Sequence, residues 1–258
     1  MNTNDVAGIH FLSSRHLAVR PLFMLLRNRL VSAILILIAF ASFAQSASSS
    51  SATTSEIYAP VKPGPAVILI SGASGTQPYQ AYATQLQKLG YYTLLIDGRE
   101  ILTREKDGLG YLKRTIAQSQ NASAAVPGKV AVIGFSQGGG GALLHASTLR
   151  DQVSAVIAYY PAVSWSPNMN WLAERFAVPI LVLAGEKDQY NSCCLIEDIR
   201  KLEVAATRKG ARFELVSYPQ AEHGFNLNIG TFNQADAEDA WSRTQKMLAE
   251  RHPLSNAQ

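Results

Sequence analysis

The chain has 258 residues, 47% of them hydrophobic and 16% charged, which suits one globular α/β domain. Its formal net charge is +4, but +3 of that lies in the first 44 residues, where Arg15, Arg20, Arg27 and Arg29 face only Asp5. The remainder carries +1 and no basic stripe, which argues against nucleic acid as a partner.

Leu30 to Phe43 is a nearly continuous apolar run behind Arg27 and Arg29, and Ser42-Phe43-Ala44 places small residues where a signal peptidase reads. Residues 1–44 are therefore expected to be a cleavable secretion signal, cut after Ala44, with the mature protein periplasmic or extracellular. At fourteen residues the run falls short of the roughly 20 that span a bilayer, so no stable membrane anchor is expected. Met24 is an alternative start that would give a signal of more ordinary length. Gln45 to Ser55 is rich in Ser, Ala and Thr, and residues 45–62 are expected to be a flexible spacer. The folded domain is expected over 63–252, with a polar tail at 253–258.

Ala66-Val67-Ile68-Leu69-Ile70 predicts a buried strand, followed by the small-residue loop Ser71-Gly72-Ala73-Ser74-Gly75. A helix over about 78–89 should stop at Gly90. Further strands are expected at 92–96, 129–135, 153–160, 179–184 and 212–218, and helices at about 109–119, 137–149, 195–208 and 234–250. Residues 99–107 and 161–177 read as loops. Continuous apolar strands separated by helices predict a mostly parallel sheet of about six to seven strands, covered by helices on both faces through right-handed crossovers. There is no internal repeat and no second domain.

Four apolar residues, Val130 to Ile133, run into Gly134-Phe135-Ser136-Gln137-Gly138, and a glycine run then opens into Ala142-Leu143-Leu144. A strand, a very tight turn and a helix push a serine hydroxyl out beyond the sheet edge, and flanking glycines keep side chains from colliding across the turn. Ser136 is the candidate nucleophile, and it needs a base held by a third group. Of five histidines, His10 and His16 leave with the signal, and His252 lies in the polar tail after the last helix. His145 lies nine residues past Ser136 on the next helix. His223, just after the last strand, remains as the base. Asp188 follows the preceding strand and is the candidate acid, with Glu186 and Asp97 as rivals. The amides of Gln137 and Ala73 are the expected oxyanion donors, with Gly72 or Ser74 able to serve in place of Ala73.

With these residues in place the chain resembles the dienelactone hydrolase branch of the α/β-hydrolase superfamily. The matching stretches are Gly72 to Tyr91, Gly134 to Gly139, Ala184-Gly185-Glu186-Lys187-Asp188, and Tyr218-Pro219 through His223-Gly224-Phe225. The resemblance implies an α/β-hydrolase fold and a Ser136, Asp188, His223 triad. The chain departs from it in three places. Members that open the dienelactone ring use cysteine where this chain has Ser136, and carry a glutamate in the first loop where it has Gly72. Their two N-terminal strands have little room here, since only about 54–62 precedes the first long strand.

The expected activity is hydrolysis of small-molecule carboxylic esters or lactones through an acyl-enzyme, with no metal or cofactor. Acyl transfer or peptide cleavage on the same triad is an alternative, as is a catalytically silent binding protein. Tyr160, Trp165, Tyr190 and Phe225, with Tyr159 and Trp171, are candidates to line a substrate pocket. Cys193 and Cys194 are adjacent, with Cα atoms about 3.8 Å apart, below the usual disulfide range. Buried free thiols are expected, with a ring between them as the alternative. Oligomeric state is not readable from the sequence.

Overall fold

A computed structural model describes residues 55–254. The expected signal, residues 45–54 of the expected spacer and the last four residues of the tail lie outside this range. Among the described residues seven strands form one sheet: β1 (Ser55–Tyr58), β2 (Gly64–Ile70), β3 (Tyr92–Ile96), β4 (Ala125–Phe135), β5 (Val153–Tyr159), β6 (Ile180–Gly185) and β7 (Phe213–Tyr218). Their order is β1-β3-β2-β4-β5-β6-β7, with β1 antiparallel and the other six parallel.

The helices are α1 (Gln80–Leu89), α2 (Gly108–Gln120), α3 (Gln137–Leu144), α4 (Met169–Ala173), α5 (Ile196–Arg208) and α6 (Gln234–Arg251). Alternation along each strand divides the core between two faces. Ile68, Ile70, Val130 and Val132 meet Leu112 and Ile116 of α2, Leu143 of α3 and Ile199 and Leu202 of α5. Val67, Leu69, Ala131 and Ile133 meet Ala83 and Leu86 of α1 and Ala240 and Leu248 of α6. All seven residues of β2 are buried, which explains why its sequence reads as one apolar run rather than an alternation. Burial of each branched side chain in such a layer contributes roughly 1.5–3 kcal/mol.

Helix ends follow the local chemistry. Asp107 caps α2 by accepting from Gly110 N at 2.8 Å, and Asn233 caps α6 by accepting from Asp236 N at 3.2 Å. Gly90 ends α1 in the left-handed region, with φ 106°.

Four expectations are corrected. The spacer expected at 45–62 contains β1, whose backbone pairs with β3 and whose Glu56 accepts from Gln80 Nε2 at 2.8 Å. The helix expected to reach 149 ends at Leu144 and is followed by a single 3₁₀ turn at Ala146–Thr148. The loop expected at 161–177 contains α4, capped by Asn168.

The fourth correction concerns His252, which is 6% exposed rather than part of a solvated tail. Leu248 docks α6 on the sheet, and this carries His252 onto Tyr91, where the rings stack at 5.9 Å. Its Nδ1 lies 3.1 Å from Ser154 Oγ. Burial pushes its pKa down to about 4, so the fold holds the imidazole neutral.

A pH dependence follows. The unfolded chain takes up this proton first, near the ordinary value of 6.5, so the stability present at neutral pH declines from there to about 4. Between pH 7 and 4.5, wild type should lose about 2 kcal/mol more unfolding free energy in urea than His252→Gln. Parallel losses in the two proteins would remove His252 as the cause.

Candidate active site

The site forms where the parallel strands end. β4 delivers Ser136 with φ 52° and ψ −116°, a conformation that costs a non-glycine residue roughly 1–3 kcal/mol. Three backbone hydrogen bonds hold it there. Ser136 N donates to Tyr159 O at 3.0 Å, and Ser136 O accepts from Gly140 N and Ala162 N at 2.9 Å each. The turn is tight enough that a Cβ at Gly134 would lie 2.4 Å from the Gly138 carbonyl oxygen.

The structure brings Ser136, His223 and Asp188 together. His223 Nε2 lies 3.0 Å from Ser136 Oγ, and Nδ1 lies 2.7 Å from Asp188 Oδ2. Asp188 is 1% exposed, and its second oxygen accepts from Tyr190 N at 3.0 Å. A carboxylate on Nδ1 favours the proton there and leaves the Nε2 lone pair facing the serine. The loop carrying His223 is tied down by Thr231 Oγ1, which donates to the His223 carbonyl at 2.7 Å. Tyr190 stacks on the imidazole at 4.5 Å and 12°, and Tyr160 meets it edge-on at 4.7 Å.

The rivals are engaged elsewhere. Glu186 accepts from Arg200 Nη2 at 2.6 Å and Ser217 Oγ at 2.7 Å. Asp97 caps the following turn and pairs with Arg99, whose guanidinium holds that carboxyl below its usual range. His145 turns to the Ile101 carbonyl, 3.2 Å from its Nε2, and burial lowers its pKa.

The loop after β2 lies against the serine turn. A Cβ at Gly72 would sit 3.3 Å from Ser136 Cβ, and one at Gly138 would sit 2.3 Å from the Ser71 carbonyl oxygen. Gln137 opens α3, so its amide has no carbonyl one turn earlier to bond. Ala73 N makes no backbone hydrogen bond among the described residues. Both amides are therefore available to a ligand oxygen.

The aromatic candidates divide. Tyr190 is 51% exposed beside His223, and Trp165 packs on the core while donating to Ala162 O at 2.8 Å. Phe225 and Tyr160, expected to line the pocket, are instead buried. They pack with Tyr159 and Tyr218 as a floor for the His223 loop, because the residues flanking His223 must cover the sheet end. Tyr159 is also core, its hydroxyl 2.7 Å from Thr244 Oγ1. Trp171 lies out on α4 with Arg175 over its ring at 5.0 Å. Tyr79 was not foreseen: its hydroxyl fills the space beside Gly72, 2.5 Å from where a Cβ would stand. Nothing in Gln77-Pro78-Tyr79 beyond a helix start marks it.

Cys193 and Cys194 form a disulfide, which overturns the expectation of free thiols. Their Cα atoms are 3.8 Å apart, the spacing of any trans peptide. The distance range behind the expectation describes cysteines brought together from separate stretches of chain, whereas here convergent Cβ directions are sufficient. Both sulfurs and a His223 ring nitrogen lie within 4.8 Å of one another. Among the described residues this is the one His/Cys/Asp/Glu group with metal-ligand spacing, and its sulfurs are spent on each other. Among those residues, too, no helix is long and apolar enough to cross a membrane.

A central parallel sheet covered on both faces, with a serine turn after its middle strand, defines the α/β-hydrolase fold. Residues 96–252 match the dienelactone hydrolase family model, and the chain belongs to that family. Over 122 residues it is 30% identical to a provisionally named carboxymethylenebutenolidase of Escherichia coli (strain K12), covering 45% of this chain and 44% of that one. Over 130 residues it is 31% identical to Cutinase 2 of Thermobifida cellulosilytica, covering 48% and 47%. The chain thus spans a little under half the length of these two curated relatives. A provisionally named dienelactone hydrolase from Klebsiella pneumoniae subsp. pneumoniae superposes with a TM-score of 0.63 at 20% identity, covering 74% of this chain and 88% of that one.

The turn geometry makes a stability prediction. Gly134→Ala should lower the unfolding free energy in urea by about 2 kcal/mol or more, because the added methyl meets backbone that cannot swing away. Gly230→Ala, where a Cβ would meet nothing within 4 Å, should stay within about 0.5 kcal/mol of wild type. Equal effects at the two positions would contradict the steric account.

Proposed function

We propose that the protein is a serine hydrolase of carboxylic esters, lactones included, working through an acyl-enzyme on Ser136. The observation that carries this reading is the unbroken relay from Asp188 Oδ2 through both nitrogens of His223 to Ser136 Oγ, at 2.7 and 3.0 Å.

In this reading Ser136 Oγ attacks the ester carbonyl as its proton passes to His223 Nε2. The carbonyl oxygen becomes an oxyanion and accepts from the amides of Gln137 and Ala73. Collapse expels the alcohol, which takes the proton from Nε2. Water then enters, gives a proton to Nε2 and attacks the acyl group, and the acid leaves as Ser136 recovers its proton. Asp188 stays ionised throughout and stabilises the imidazolium formed twice per cycle. Family membership and the relatives named as cutinase and carboxymethylenebutenolidase support ester chemistry. The thiol chemistry of ring-opening members is not carried over, since the nucleophile here is an alcohol. The apolar run at 30–43 supports export to the periplasm or beyond.

Turnover of p-nitrophenyl acetate and butyrate tests the assignment. Ser136→Ala should lose on the order of 10⁴–10⁶ in kcat, and a fluorophosphonate should add to Ser136 of wild type alone. Undiminished turnover in the alanine variant would overturn the proposal.

A further inference from the structure

The seven residues from Asp188 to Cys194 are held under unusual constraint. Asn191 and Ser192 are both left-handed, with φ 47° and 51°, and neither is glycine. Each such residue costs roughly 1–3 kcal/mol and persists only where its surroundings over-determine it. Those surroundings are dense. Ser192 N donates to Gln189 O at 3.3 Å, and Cys193 N to Tyr190 O at 3.0 Å. Cys193 O accepts from Val163 N at 2.9 Å and from Ser164 N at 3.2 Å, pinning the segment to the loop after β5. The Cys193–Cys194 bond closes it.

This same segment touches the imidazole of His223 in three ways. Asp188 bonds Nδ1, Tyr190 stacks on the ring face, and both sulfurs lie within 4.8 Å of a ring nitrogen. Tyr190 is half exposed, so packing alone does not fix its ring. Its backbone is fixed at both ends, by the Asp188 carboxylate at its N–H and by Cys193 at its carbonyl.

We propose that the Cys193–Cys194 disulfide is a positioning element for the base. By tying the two side chains together it locks the left-handed pair before it, and so holds Tyr190 against the ring and Asp188 on Nδ1. The inference rests on the serine-hydrolase reading. It adds a redox dependence to an activity whose chemistry uses no sulfur. Cys193 is part-exposed and Cys194 buried, so a dithiol reaches the bond at Cys193 Sγ. Its thiolate forms a mixed disulfide there as Cys194 leaves and takes a proton. The reagent's second thiol then releases Cys193. Two electrons and two protons pass to the protein, and the reagent becomes its own disulfide. With the bond open, the left-handed pair relaxes and the base loses two of its supports. A catalytic group misplaced by about 1 Å costs up to about 10²-fold in rate.

The test compares oxidised wild type, wild type reduced by dithiothreitol, and the Cys193→Ser/Cys194→Ser double variant on p-nitrophenyl butyrate. A chelator is present throughout, so that freed thiols and His223 do not capture metal. Reduction is verified as a gain of two hydrogens by mass, and folding by circular dichroism and thermal unfolding above the assay temperature. Reduced wild type and the double variant should both lose about 10- to 100-fold in kcat with KM within about threefold. Fluorophosphonate labelling of Ser136 should slow by the same factor. Reoxidation should restore wild type and leave the double variant unchanged. In the oxidised enzyme Tyr190→Ala should share part of the kcat loss, and Tyr190→Phe should recover it. Unchanged kcat after verified reduction, a loss that tracks unfolding, or a rise in KM at constant kcat would each overturn the proposal. An enzyme that needs Ser136 yet ignores reduction would remove this inference alone and leave the ester-hydrolase reading standing.

Discussion

The site depends on one peptide held where its residue type does not choose to be. Ser136 sits at φ 52° between the end of β4 and the start of α3. Its carbonyl and amide are bonded to Gly140, Ala162 and Tyr159, so the turn is clamped by its own helix and by the neighbouring strand. The central position of β4 in the sheet makes this possible. β2 on one side supplies the loop that packs on the turn, and β5 on the other supplies the acceptor for Ser136 N. β6 and β7 follow next in order, and the loops after them carry Asp188 and His223. Because these strands are parallel, all five ends reach the same rim, and residues 35 and 87 positions apart in sequence meet at 2.7 and 3.0 Å.

Behind the rim lies an aromatic layer that stiffens it. Phe135 stacks on Tyr159 at 4.7 Å, Tyr82 meets both edge-on, and Phe225 and Tyr160 extend the layer beneath the imidazole. Each ring pair contributes roughly 0.5–1.5 kcal/mol beyond its burial. The layer is also the face packed by α1 and α6, so the helices that complete the core support the His223 loop. Aromatic residues near a serine turn therefore served structure here more than ligand contact.

What the sequence made legible follows from that division of labour. Strands buried on both faces spell continuous apolar runs, and the six parallel ones were found within a few residues of their ends. The Gly134 to Gly138 turn is legible because steric demand fixes its residue types. β1 was not, because four half-exposed residues at an edge carry no pattern, and pairing with β3 alone makes them a strand. His252 read as tail because nothing local shows that α6 folds its end back onto Tyr91. Phe225 and Tyr160 were placed in the right neighbourhood, but whether a ring faces inward or outward is settled by tertiary packing. The disulfide is not legible from a distance criterion, which says nothing about the direction of two side chains on adjacent residues.

The first loop fits the alcohol nucleophile proposed for this site. Thiol-using members of the family that this chain resembles carry a glutamate where it has Gly72. Here even a methyl group at that position would stand 2.5 Å from the Tyr79 hydroxyl and 3.3 Å from Ser136 Cβ. The space for an acid is already occupied by a phenol whose own ionisation burial disfavours. A carboxylate forced into that layer would lose hydration, which costs several kcal/mol unless the charge is paired. It would also compete with Asp188 for the imidazolium. In the proposed mechanism the serine needs no such group, since its proton goes directly to His223 Nε2. Replacing Ser136 with cysteine would therefore not restore ring-opening thiol chemistry by itself, because the neighbour that manages a thiol cannot be accommodated until Tyr79 is cut back.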